Sequence, residues 1–136
     1  MEKKKIFVIV TALVIVFGGL ALLALFPSAR VDIDGVTACV VTTETAERTM
    51  TESDAQAAAE LLNGHRFYRD EPSCGFSEIA SFTITSSSGA DTFYIARDGC
   101  PFLYAPDSGK YVQLTESEIT ALHKILASYG LTVPCV

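Results

Sequence analysis

The residues richest in potential chemistry are four cysteines, at positions 39, 74, 100 and 135, and two histidines, at 65 and 123. Thiol catalysis needs a cysteine whose pKa is lowered by a neighbouring base or a helix N-terminus. His123 instead sits beside Leu122, flanking an apolar helical stripe, where an imidazole is structural or solvated. A structural zinc site needs ligands at C-x-x-C or similar spacing, and no two of these cysteines are close in sequence. Nothing in the spacing asks His65, Cys74, Cys100 and His123 to gather. Two disulfides are the remaining chemistry of an even count outside the cytoplasm, with three connectivities open. Cys74 lies just before one strand of a meander and Cys100 opens the strand two further on, so both fall at the same end of the sheet. The expected pairs are Cys74–Cys100 and Cys39–Cys135.

Other catalytic signatures are missing. The chain carries no Gly-rich phosphate loop, H-E-x-x-H or G-x-S-x-G. Asp32-x-Asp34-Gly35 has neither the further oxygen ligands nor the late Glu of a calcium loop, and reads as a solvated turn. Acidic residues are dispersed over helix starts and turns, and no catalytic carboxylate pair stands out. No cofactor is expected. What remains is a contact surface. Phe82 and Phe93 read as core, while Tyr94, Tyr104 and Tyr111 line an open sheet face if the helices cover only the other. The polar stretch His65–Phe76, with Arg66 and Arg69, is the longest irregular segment and the second contact candidate. Ordinary cross-strand pairing of the tyrosines is the competing reading.

These groups hang on an address. Ile6–Phe26 is an unbroken apolar run preceded by Lys3, Lys4 and Lys5, roughly 30 Å long as a helix, the thickness of a hydrocarbon core. The lysine flank places residues 1–5 in the cytoplasm and the rest of the chain outside. Two readings of the run compete, a retained signal-anchor and a cleaved signal peptide. The run is long for a cleavable segment, and its exit, Pro27-Ser28-Ala29, puts proline where a small residue is wanted. The reading adopted is a single-pass anchor at 6–26, a linker at 27–35 and an extracytoplasmic domain at 36–136, secreted if the segment is cleaved. Residues 30–136 carry seven Lys and Arg against fifteen Asp and Glu, a formal charge of −8. Such a domain repels phosphate backbones, and no nucleic-acid partner is expected.

Within the domain, Val36–Thr43 is β-branched and reads as a strand, followed by a polar connection to Thr51. Thr51 caps a helix with Asp54 at N3, Met50 and Ala55 as its staple, Ala55, Ala58, Ala59 and Leu62 on one face, and Asn63-Gly64 at its end. A four-strand meander follows over Ile79–Ser86, Thr92–Arg97, Cys100–Ala105 and Tyr111–Leu114, with a two-residue turn expected at Asp98-Gly99. Thr115-Glu116-Ser117-Glu118 is a full capping box for a last helix, stapled by Leu114 and Ile119 and stopped by Gly130. The order β-α-β-β-β-β-α predicts a two-layer α+β domain, an antiparallel meander with both helices on one face. In topology alone it is similar to cystatin-like and TATA-binding-protein-like folds. The cystatin Q-x-V-x-G loop is absent, since Gln113-Leu114-Thr115 does not supply it.

The function expected on these grounds is a membrane-anchored, non-catalytic interaction or ligand-sensing module, meeting an extracytoplasmic protein or small ligand. The alternatives are a thiol- or metal-dependent enzyme and a secreted inhibitor of cystatin-like topology.

Overall fold

The computed structural model describes residues 2–25 and 29–133. Cys135 is therefore outside the described residues, and so is the expected Cys39–Cys135 pair.

Helix α1 spans Glu2–Leu25, so the basic flank Lys3–Lys5 is its first turn rather than a separate tail. Its side chains through Ala21 are exposed, Phe7 and Ile15 among them. Thr11, the one hydroxyl in the run, donates to the Phe7 carbonyl at 2.8 Å, which removes its polarity from the helix surface. By length and composition α1 is able to cross a membrane.

The domain is a two-layer α+β fold. Seven antiparallel strands, β1 (Ala38–Thr42), β2 (Glu47–Thr49), β3 (Phe67–Tyr68), β4 (Phe76–Ser86), β5 (Gly89–Ala96), β6 (Phe102–Ala105) and β7 (Lys110–Gln113), form one sheet in the order β2-β1-β4-β5-β6-β7-β3. Helices α2 (Glu52–Leu62) and α3 (Glu116–Ala127) contact each other and turn Ala55, Ala58, Ala59, Leu62, Ile119, Leu122 and Leu126 into the core. The facing side of the sheet supplies Cys39, Val41, Phe82, Ile84, Phe93, Ile95, Leu103 and Val112, with Phe82 and Phe93 stacked at 5.5 Å between centroids. The alanine face of α2 offers little apolar area, so this helix is held by docking.

The helix ends follow from their cap residues. Thr51 accepts from the Asp54 amide at 3.2 Å, and Thr115 and Glu118 complete a reciprocal capping box. Gly130 adopts φ +88°, and the Leu131 amide reaches back to Leu126, burying Leu131 as a Schellman contact. Asp54 has a further role. Its carboxylate accepts from the Tyr129 hydroxyl, which itself accepts from the Thr51 amide at 3.0 Å, tying the end of α3 to the start of α2.

Within the sheet, the structure departs from the sequence expectations in three places. Two strands are added at the sheet's edges. The polar connection after β1 turns at Thr43–Ala46 and returns as β2, all of whose residues are exposed, so no alternation marks it. Within His65–Phe76, Phe67–Tyr68 pairs with β7. The turn at Asp98-Gly99 is also longer than two residues. Ile95 pairs with Leu103, leaving Arg97–Pro101 between the strands, because Pro101 has no amide for the ladder and Cys100 is drawn to Cys74. Lastly, β4 begins at Phe76, and its register to β5 slips between Phe76 and Ser81.

The segment after α1 belongs to the domain from Ala29 on. Residues 29–31 run antiparallel to 65–67 through Val31 N–H to His65 O at 2.8 Å, Gly64 N–H to Val31 O at 2.9 Å and Phe67 N–H to Ala29 O at 3.0 Å. Asn63 then grips Ile33 with both side-chain atoms, accepting from its amide at 2.7 Å and donating to its carbonyl at 2.8 Å. Val31 and Ile33 are buried, while Asp32 and Asp34 between and after them stay exposed. This strap closes one open end of the sandwich.

Candidate contact surface

Side chains alternate along a strand, so the residues between the core positions share the face the helices leave uncovered. On that face the register places tyrosines directly opposite one another. Tyr94 pairs with Tyr104, Tyr104 with Tyr111, and Tyr111 with Tyr68, giving one row across β5, β6, β7 and β3. Four of the chain's five tyrosines are in it. Ring centroids are 5.8 Å apart for Tyr94–Tyr104 and 5.0 Å for Tyr104–Tyr111. Phe76 packs over the centre of the row, 5.9 Å from Tyr104 and 5.6 Å from Tyr111. The row continues as Ser81 on β4 and Thr42 on β1, so one half of the face is aromatic and the other small and polar.

The tyrosines differ in access. Tyr111 is buried, Tyr94 and Tyr104 are half-buried, and Tyr68 at the edge is 42% exposed. Desolvation, then the charge of Glu71 and the neighbouring Tyr104, raise the Tyr111 hydroxyl above its usual range. Of the two expected arginines, Arg66 stands 6.0 Å over the Tyr68 ring, a cation–π contact, and Arg69 follows Tyr68 exposed to solvent. The structure thus gathers Tyr94, Tyr104, Tyr111 and Arg66 along one row. It adds Tyr68 and Phe76, which lie within the His65–Phe76 stretch expected to be irregular.

The thiols and histidines present a different picture. Cys74 and Cys100 are joined, with Cα atoms 6.2 Å apart, at the end of the sheet where β4 starts and β6 is entered. An Asp98 carboxylate oxygen lies within 4.8 Å of both sulfurs, but sulfurs bonded to each other leave a metal only that carboxylate. Cys39 is fully enclosed, and burial pushes its thiol up to about 12, where it is a poor nucleophile. His123 has an enclosed Nε2 with no hydrogen-bond partner among the described residues, and burial lowers its pKa. His65 meets Glu118 at 3.0 Å, bracing the strap junction against the first turn of α3. Among the described residues, these thiols and imidazoles do not bring a nucleophile, a base and an orienting group together.

A cleft of about 600 Å³ is bordered by Thr43, Glu44, Ser77, Ile79, Arg97 and Val133. It adjoins Val133, the last described residue. Compared with known proteins, the chain matches no family model, no curated protein and no solved structure.

Proposed function

We propose that this protein is a single-pass membrane-anchored, non-catalytic interaction module, held outside the cytoplasm, whose contact surface is the tyrosine row on the uncovered sheet face. The observation that carries the reading is the row itself: Tyr94, Tyr104, Tyr111 and Tyr68 in register, with Phe76 packed on it and, among the described residues, no helix above. Tyrosine offers a large apolar ring, a hydroxyl and little side-chain freedom to lose, which suits it to recognition of a protein segment or small ligand. Two features support the address. α1 has the length and composition of a membrane span with lysines at its N-terminal end, and a cross-linked cysteine pair fits an oxidising compartment.

The experiment is site-specific photocross-linking in intact cells, with a photoreactive residue at Tyr94 or Tyr104 and a control at Thr120 on the exposed side of α3. Adducts from the sheet positions, absent from the control, are the expected result. Equal labelling from all three positions removes the sheet face as the contact surface. A turnover activity abolished by one side-chain substitution would remove the non-catalytic reading.

A further inference from the structure

The strap fixes which edge of the domain lies nearest the anchor. α1 ends at Leu25, and the chain is already hydrogen-bonded along the outer edge of β3 at Ala29. Only residues 26–28 intervene, so the two points are at most about 14 Å apart even on a fully extended chain. A domain whose sheet is seven strands wide cannot turn freely on so short a connection. Residues 29–31 run antiparallel to 65–67, so the connection leaves the domain beside Phe67 and Tyr68.

That edge has the composition of a membrane interface. Of the seven cations in residues 30–136, four lie along it: Arg30, Arg66, Arg69 and Lys110. The exposed Asp32, Asp70 and Glu71 offset part of this charge and leave the four cations in excess by one. Outside α1, Tyr68 and Ile79 are the exposed large apolar side chains among the described residues, and Tyr68 is at this edge. Tyrosine with arginine is the pairing found at the headgroup level of bilayers, the ring amphipathic and the guanidinium bidentate to phosphate.

We infer that the β3 edge rests in the headgroup layer of the bilayer that α1 crosses, with Arg66 and Arg69 on lipid phosphates and Tyr68 at the interface. This rests on α1 being the anchor. The domain then stands on its β3 edge, with the tyrosine row rising from the membrane towards the β2 edge, about 29 Å away across six strand spacings. A partner meeting the row would approach along the membrane surface.

The chain contains no tryptophan, so one introduced residue reports without background. Full-length Tyr68→Trp and Glu47→Trp are reconstituted into vesicles of zwitterionic phospholipid, with and without anionic phosphatidylglycerol, and quenched by headgroup-proximal brominated lipid. Flotation after an alkaline wash establishes insertion of each. The expected result is strong quenching and a blue-shifted emission for Tyr68→Trp and little of either for Glu47→Trp at the opposite edge. Arg66→Gln and Arg69→Gln in the Tyr68→Trp background should each lower the ratio of apposed to lifted domain roughly fivefold in anionic vesicles. Arg69→Trp serves as the reporter if Tyr68→Trp loses the near-ultraviolet tyrosine signal of the folded domain. Flotation with equal, weak quenching at both edges overturns the apposition and leaves the anchor intact; protein washed from the vesicles overturns both.

Discussion

Replacing Asn63 tests whether the strap is part of the fold's stability or lies passively on it. Asn63 satisfies both backbone groups of Ile33, at 2.7 and 2.8 Å, and Ile33 is only 4% exposed. Asn63→Ala leaves a part-buried amide and a part-buried carbonyl without their side-chain partner, and each such loss costs about 1–3 kcal/mol where the group is fully buried. Water reaching the part-buried site recovers some of this, so the expected loss is about 2–4 kcal/mol, a large fraction of the about 5–15 kcal/mol that holds a domain together. Asn63→Asp separates the two bonds. Its carboxylate still accepts from the Ile33 amide but sets a negative oxygen against the Ile33 carbonyl, so folding raises the pKa of the introduced group. A raised pKa confers stability below the unfolded value, roughly 4, that is lost as pH rises through the folded value. Asn63→Asp should therefore approach the native chain in acid and fall away from it near neutrality, while Asn63→Ala shows no such recovery. All five tyrosines lie in the domain, so denaturant titration of the full-length chain in micelles, followed by near-ultraviolet circular dichroism, reads the domain without α1. An Asn63→Ala midpoint within about 0.5 kcal/mol of the native chain, with the Ile33 amide still protected from exchange, would refute the argument.

Two further perturbations test the cross-link and the α3 cap. Reducing Cys74–Cys100, which closes a sequence separation of 26, should cost about 3.5 kcal/mol on the chain-entropy estimate, and Cys74→Ala/Cys100→Ala should reproduce that shift in denaturation midpoint without reductant. Equal midpoints in oxidised and reduced protein would contradict it. The Thr115 amide holds the Glu118 carboxyl below its usual value, chiefly by hydrogen bonding and with help from His65. A lowered pKa gives stability that is present above the unfolded value, roughly 4.3, and lost as pH falls through the folded value. Glu118→Gln should flatten this acid limb of the stability–pH curve, and Glu118→Ala should cost about 1 kcal/mol at neutral pH. An unchanged acid limb in Glu118→Gln would assign that pH dependence to other carboxylates.

What could be read from the sequence divides along physical lines. Elements marked by local chemistry were legible: the capping box at Thr115–Glu118, the Thr51 cap, the glycine stop at Gly130 and the alternating core of β4 and β5 each depend on residues within a few positions of one another. The Cys74–Cys100 pair was legible from topology, because a meander returns every second connection to the same end. The edge strands were not. β2 exposes all its residues and β3 has two, so neither shows the period of two that distinguishes a strand from a polar loop. What makes them strands is a partner, β1 in one case and β7 in the other, and pairing of that kind carries no local signature.

The candidate surface shows the same limit more sharply. Tyr94, Tyr104 and Tyr111 were identifiable as residues of an outer face, but their alignment into a row is a matter of register. Register here was set by Pro101 and the cysteine bridge, which lengthen the connection and bring Tyr104 opposite Tyr94. Phe76 is the clearest case. Counted by twos from Phe82 and Ile84, it belongs in the core, beneath the helices. The slip between Phe76 and Ser81 changes that parity, places Phe76 opposite Ala96 and turns its ring out onto Tyr104 and Tyr111. The irregularity thus supplies the apolar centre of the face, where an unbroken β4 would have turned the same phenylalanine towards the helices.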